Sequence, residues 1–480
     1  MGLTLAIDQS TQGTKVLLVN PDGTIAYKTV KAHRQIVSES GWISHDLNEI
    51  AANLKVLIHT SLAHTEGRSI TGVAISNQRE TAAAWRKTTG QPLALAIVWQ
   101  DNRAAALVQA LSTKSAATQV KEITGLALSP YFTAAKYAWL LNHEPAVRSA
   151  AAQGDLCFGT IDSWLIAQLT GGHHLTEPSN ACRTQLMNLA TGDWDPAMCA
   201  LFGIDVSWLP QIIDSNGQFG TTDLFGELAA PIPIISVLGD SQAALFAENC
   251  LAPGQFKVTF GTGSSVMLST GSQLITTPTL NTSVAWRRNG QTTYALEGNV
   301  NYSGAIITWL KNNLNLIADP VETDAMATAA NPADTTMLIP AFSGLAAPYN
   351  EPNLKAALIE MTALTGRNEV VRAGLNAIVA QITDITQLLT QFFPGIKPPV
   401  HVDGGMIANT YLMQRLADIV QLPVAVSPIQ ELSGVGAAMN GTGDSGVNLA
   451  AQQTYQPTMS PQMAASIQNK WHQEISRLVG

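Results

Sequence analysis

Asp8 follows an apolar, β-type run at residues 3–7, and Gly239-Asp240 ends another at 232–238. An aspartate is ionised at neutral pH and can accept a proton from an alcohol. After Asp8 come Gln9, Ser10, Thr11, Gln12, Gly13, Thr14 and Lys15. Small hydroxyl residues and a glycine let backbone N–H groups approach a phosphate. Asp8 is a hard oxygen ligand suited to Mg²⁺. Lys15 either adds positive charge there or is an ordinary strand residue. Two more loops, Gly261-Thr262-Gly263 and Asp403-Gly404-Gly405, also follow apolar runs. Glycine in such loops lets backbone pass close to a ligand. Phosphoryl transfer needs in-line positioning, charge neutralisation and a group that accepts the nucleophile's proton. The chain has parts for each task. Asp240 would be the base, ATP the donor, with phosphates on the first glycine loop and adenosine near the second.

Arg79, Glu80, Trp99 and Tyr131 combine a charge pair with aromatic surfaces. A carboxylate and a guanidinium bond hydroxyls, and rings pack on C–H faces, so the expected acceptor is a polyol or sugar. Asp240 also reads as a helix N-cap, because Ser241-Gln-Ala-Ala follows it.

Several elements must position these groups. Residues 16–19 form a second strand after Asp8, and Asn20-Pro-Asp-Gly23 has hairpin chemistry leading into a third strand at 24–28. Residues 48–63 have helical spacing. Residues 70–75 form a buried strand ending at Ser76-Asn-Gln-Arg-Glu80, so charged groups stand just past its carboxyl end. Residues 241–249 read as a helix, 255–260 and 266–269 as strands around the Gly-Thr-Gly loop, 369–393 as a long helix, 400–403 as a strand and 409–420 as a helix. Strand, small turn, strand thus occurs near residue 8 and again near residue 262, which suggests two related halves. The expected boundary falls near 245–255, with domains at 1–247 and 248–480.

Bulk composition fits this picture. At roughly 100–200 residues per domain, 480 residues imply at least two domains. Apolar residues make up 46% and charged residues 13%, so large cores are expected. The formal charge is −9 and no dense Lys/Arg cluster occurs, which disfavours nucleic acid and anionic membrane as partners. Cys157, Cys182, Cys199 and Cys250 form no C-x-x-C pair and read as buried reduced thiols. With no leader-like or membrane-spanning run, the expected location is the cytoplasm. A homo-oligomer is compatible with the sequence. His173-His174 after Gly-Gly reads as a loop.

Tyr131-Phe-Thr-Ala-Ala-Lys136-Tyr-Ala-Trp139 matches the first signature of the FGGY carbohydrate kinases. Gly239-Asp240, Gly261-Thr-Gly263 and Asp403-Gly-Gly405 follow in family order, and further blocks agree. These include Ala96-Ile-Val-Trp-Gln-Asp101, Gly159-Thr-Ile-Asp-Ser-Trp-Leu165 and Pro340-Ala-Phe-Ser-Gly-Leu345. The chain therefore resembles that family over nearly its whole length, and its blocks look most like those of the glycerol-phosphorylating members. The resemblance implies two actin-like (ribonuclease H-like) α/β domains flanking a deep cleft, and ATP with Mg²⁺. It implies polyol contacts at Arg79, Glu80, Trp99, Tyr131 and Asp240, and Asp8 and Asp240 near the metal. Thr11, Gln12, Gly261, Thr262, Gly304, Gly405, Met406 and Asn409 align with nucleotide-contacting positions.

The chain also departs from the family pattern. Ser241 stands where a glutamine is usual, and Ser265 where a phenylalanine packs on glycerol carbons. Both leave space, so a ketopentose such as xylulose is the alternative acceptor. Ser10 replaces a glycine in the first turn. In the second signature Met361 and Asn376 replace the usual glycine and acidic or glutamine residue. A non-catalytic actin-like nucleotide- or sugar-binding protein is the rival of a different class.

Overall fold

The computed structural model describes residues 2–349, 351, 353–443, 447 and 450–480. Two compact units emerge. The first comprises residues 1–251, 271–295 and 431–448, and the second 252–270, 296–430 and 449–480. The division is not a single cut, because two later segments return to the first unit.

The sheet of the first unit runs in the order Thr221–Thr222, Ile232–Gly239, Ile70–Asn77, Leu3–Gln9, Gly13–Val19, Ile25–Ala32. Leu3–Gln9 is parallel to Ile70–Asn77, which is parallel to Ile232–Gly239. All seven residues of Leu3–Gln9 are buried, which is why the run reads as continuously apolar rather than alternating. The hairpin partner Gly13–Val19 is antiparallel, with Asp8 opposite Lys15. Ile25–Ala32 runs further than its apolar start indicates and is alternately exposed, as an edge strand should be.

Helix Leu47–Leu62 begins at Asp46, whose carboxylate accepts from the Asn48 N–H at 2.9 Å. It buries Ile50, Leu54, Leu57, Ile58 and Ser61 on one stripe against the sheet. Helices Asp240–Ala247 and Leu432–Thr442 approach very closely. A Cβ on Gly436 would stand 1.8 Å from the Ala243 carbonyl oxygen, so only glycine fits.

The second unit repeats the pattern. Its sheet runs Gln453–Tyr455, Val424–Val426, Val400–Gly404, Phe256–Phe260, Ser264–Gly271, and then Gln291–Val300, whose residues 296–300 belong to this unit. Phe256–Phe260 is parallel to Val400–Gly404 and antiparallel to Ser264–Gly271. Val400–Gly404 is parallel to Val424–Val426, whose other neighbour is antiparallel. Each unit thus has a central strand with a hairpin partner on one side and two parallel strands on the other. The long helix Arg367–Phe392 and the helices Thr410–Val420 and Pro461–Val479 complete the second unit. The four cysteines are buried and unbridged. Among the described residues no helix is long and apolar enough to cross a membrane.

Candidate active site

In the first unit three parallel strands end at the same level: Asp8 pairs with Ser76, and Gly239 with Asn77. Their carboxyl ends bring Asp8, Arg79, Glu80 and Asp240 together, the usual place for a ligand on a parallel sheet. The strand ends are tied by polar bonds. The Gln78 N–H donates to the Gln9 carbonyl at 2.7 Å, and Gln78 Nε2 to Gln9 Oε1 at 3.0 Å.

Asp240 is the first residue of its helix, and Gly239 occupies the cap position with no side-chain capping bond. The expected N-cap role is therefore corrected. Asp240 Oδ1 accepts instead from the adjacent Ser241 N–H at 2.7 Å and lies 3.4 Å from Arg79 Nε. Its side chain is 37% exposed, so it stays reachable.

Glu80 has φ +61°, left-handed backbone that a non-glycine residue adopts at a cost of order 1–3 kcal/mol. Its carboxylate lies 4.0 Å from Arg79 Nε and accepts from Arg183 Nε at 2.5 Å. Arg183 is fully buried, donates from Nη1 to Ser283 Oγ at 3.1 Å and lies over the Phe132 ring. Sequence reasoning missed it. Its signal was an arginine inside the otherwise uncharged stretch 178–192 of a chain poor in charge. Arg79 donates from Nη1 to Gln242 Oε1 at 3.3 Å. A Cβ on Gly239 would meet Arg79 Cδ at 2.9 Å, so that glycine makes room for the guanidinium.

The Trp99 and Tyr131 rings meet edge-on at 5.6 Å between centroids. Trp99 Nε1 donates to Thr11 Oγ1 at 2.9 Å, which connects the aromatic pair to the turn after Asp8. In that turn the Ser10 N–H and hydroxyl both donate to the Gly13 carbonyl at 2.9 Å, so serine closes it where a glycine is usual. Gln12 is exposed at its tip.

Burial pushes the Asp8 carboxyl up to about 6, and the negative charge of Asp240 and Glu431 adds to this while Lys15 opposes it. Lys15 lies 3.5 Å from Asp8 and 2.6 Å from Glu431, which also takes Lys28 at 2.9 Å. Its charge is thus already balanced by two carboxylates. Ser241 is half-buried beside Asp240.

The remaining candidates lie in the second unit. Gly261 and Thr262 are exposed, and their carbonyls accept from Gly304 N–H at 3.0 Å, Ser303 N–H at 3.0 Å and Ala305 N–H at 2.9 Å. A Cβ on Gly304 would stand 2.7 Å from the Gly261 oxygen, so glycine there is a packing need. Gly404 has φ +101° and passes against Phe260, whose carbonyl accepts from the Gly405 N–H at 2.9 Å. Gly405 faces open space and is exposed. The Ser303 hydroxyl donates to Met406 Sδ at 3.7 Å. Asn409 caps helix Thr410–Val420 by accepting from Leu412 N–H at 2.8 Å, and its amide donates to Thr323 Oγ1. The Ser265 hydroxyl donates to Glu297 at 3.3 Å. Beneath the loops, buried Lys257 lies 3.7 Å from Asp403, which also accepts from Thr259 Oγ1 at 2.9 Å.

Among the described residues no group of three or more His, Cys, Asp or Glu side chains could hold a metal ion. His174 Nε2 instead donates to the Phe158 carbonyl at 2.8 Å, and the ring packs on Trp85.

Comparison with known proteins identifies the family. The N-terminal domain profile of the FGGY family of carbohydrate kinases matches residues 3–247, and its C-terminal domain profile residues 256–442. The chain is 41% identical over 443 residues to a glycerol kinase of Alcanivorax borkumensis, covering 91% of this chain and 88% of that one. It is 38% identical over 491 residues to glycerol kinase 1 of Thermotoga maritima, covering 99% of each. A Plasmodium falciparum glycerol kinase solved with ADP superposes with a TM-score of 0.94 at 32% identity, over 100% of this chain and 99% of that one. A xylulose kinase of Lactobacillus acidophilus shares the fold, with a TM-score of 0.87 at 20% identity over 99% and 98%. The chain belongs to the FGGY family of carbohydrate kinases.

Proposed function

We propose that this carbohydrate or polyol kinase transfers the γ-phosphoryl group of ATP to a hydroxyl of glycerol. The carrying observation is the convergence of Asp240, Arg79 and Glu80 at the ends of parallel strands, with Trp99 and Tyr131 ring-to-ring beside the Thr11 turn. The N-terminal domain carries the acceptor and the phosphate turn, and the C-terminal domain carries the nucleotide loops.

Asp240 is reachable, as a base must be, and its Oδ1 lies 3.4 Å from Arg79 Nε. The acceptor's hydroxyl oxygen bonds the γ-phosphorus as the bond to the bridging oxygen breaks. ADP leaves, and the hydroxyl proton passes to the Asp240 carboxylate. Arg79 and Glu80 bond the other hydroxyls, and the two rings cover the carbon chain. The exposed backbone of Gly261, Thr262 and Gly405 gives phosphate and nucleoside a close approach, with Gly304, Met406 and Asn409 shaping the surroundings.

Mg²⁺ fits Asp8 and Asp240. Mutual repulsion helps to raise Asp8, and a dication would relieve it. Two carboxylates alone are too few ligands, so the ion would arrive on the phosphates and supply charge neutralisation. A ketopentose is the second reading, favoured by the small side chain of Ser241 beside Asp240. The test is ADP release from Mg-ATP with glycerol, erythritol, xylulose, ribulose, xylitol, gluconate and no acceptor. Glycerol-dependent release supports the first reading, and release with five-carbon ketoses alone supports the second. Release that is independent of any acceptor contradicts both.

A further inference from the structure

Lys136 is the charged residue of the Tyr131-to-Trp139 segment, yet the chemistry above does not use it. It is fully buried in helix Thr133–His143. A lysine ammonium costs much to bury and carries three N–H donors. Here the three donors meet three backbone carbonyls: Pro130 at 2.9 Å, Tyr131, and Phe132 at 3.4 Å. These carbonyls precede the helix, and one ammonium gathers all three.

We infer that Lys136 is a positioning residue for the acceptor side of the site, folding the 130–132 backbone around its ammonium so that Tyr131 meets Trp99 and Phe132 supports Arg183. The inference rests on the polyol-kinase reading above. Three separate connections leave this turn. The Tyr131 ring lies edge-on to Trp99, whose indole N–H holds Thr11. The Phe132 ring lies 5.2 Å from the Arg183 guanidinium, which grips the Glu80 carboxylate. The Thr133 hydroxyl donates to the Glu80 carbonyl at 3.1 Å and so supports its left-handed backbone. One buried cation thus stands behind both the ring and the carboxylate proposed to hold the acceptor.

Protonation gives this arrangement a readout. Burial pulls the Lys136 ammonium down to about 7, while Glu80 and Asp101 hold it up and Arg103 lowers it further. A neutral amine keeps two donors and turns a lone pair toward a carbonyl oxygen, so the turn loosens as pH rises. The acceptor polyol does not titrate in this range, so a change in its KM reports on the protein.

The experiment measures kcat, the glycerol KM and the ATP KM from pH 6 to 9 for the wild type and Lys136→Met. The expected wild-type result is a glycerol KM that rises through an inflection near pH 7–8. Lys136→Met should have a glycerol KM about tenfold higher and flat with pH, with the ATP KM within about twofold of wild type. If the two KM values move together, or only kcat falls, the positioning role is wrong. Should Lys136→Met fail to fold, the wild-type profile decides alone, and a glycerol KM without an inflection overturns the inference. A wild type that turns over no polyol removes the underlying reading and this inference with it. Turnover with an unaltered KM in Lys136→Met removes this inference alone.

Discussion

Replacing Arg183 with methionine should uncouple Glu80 from its frame. The Arg183 side chain is 0% exposed and that of Glu80 3%, so both charges sit in low dielectric. At an effective dielectric near 20, unit charges about 3 Å apart attract by roughly 5–6 kcal/mol, a ceiling before desolvation is subtracted. Removing one partner of a buried pair typically costs about 3–5 kcal/mol, because the other charge is stranded. Arg79 lies 4.0 Å from Glu80 and offsets part of this, so a loss near 3 kcal/mol is expected for Arg183→Met. Glu80→Gln alone strands Arg183 and should cost a similar amount. The double variant leaves neither charge unpaired and should recover about 2 kcal/mol relative to the sum of the single losses. The assay is urea unfolding of the four proteins, with glycerol KM measured alongside. Arg183→Met should also raise that KM, since the Glu80 carboxylate loses its anchor. A coupling energy below about 0.5 kcal/mol would refute the claim that this pair frames the site.

Other outcomes follow from the same geometry. Asp8 is raised to about 6, so its folded state holds the proton more tightly than the unfolded chain. Its contribution is therefore present below pH 4 and is lost as pH rises through about 6. Asp8→Asn should remove that part of the decline, roughly 3 kcal/mol at about 1.4 kcal/mol per unit, and an unchanged slope in urea midpoints against pH contradicts it. Calorimetry of Mg-ADP binding at pH 6 in buffers of different ionisation enthalpy should show proton release that Asp8→Asn abolishes. Gly405→Ala should melt within about 2 °C of wild type yet bind ADP more weakly, because its Cβ meets only open space. Gly404→Ala should destabilise the second unit, since φ is +101° and its Cβ would press on the Phe260 carbonyl.

Much of this was legible because the site sits where buried strands stop. The apolar runs before Asp8, Arg79 and Asp240 marked those strands, and polar residues just past a strand end are conspicuous. The strand that begins near Thr24 has no legible end in the sequence, because its later residues alternate with Lys28, Lys31 and other exposed side chains, which blurs an edge strand into loop. Asp240 read as a cap because its residue type suits one, and only backbone geometry shows that Gly239 takes that place. Arg183 and Lys257 are hard to see because charged residues are expected outside, and nothing local announces buried partners as remote in sequence as Glu80 and Asp403. Glu80's left-handed backbone leaves no mark on its neighbours' identity. The return of residues 271–295 and 431–448 to the first unit depends on non-local packing, such as Gly436 against Ala243, that no window of sequence contains.

The most direct test of the central claim compares wild type with Asp240→Asn in ADP release from Mg-ATP, with and without glycerol. Asparagine keeps the size of the side chain but cannot take the proton. Glycerol-dependent release is expected in the wild type, with a loss of about a hundredfold or more in kcat for Asp240→Asn and an unaltered melting temperature. Turnover within a few-fold of wild type in a folded Asp240→Asn protein contradicts it.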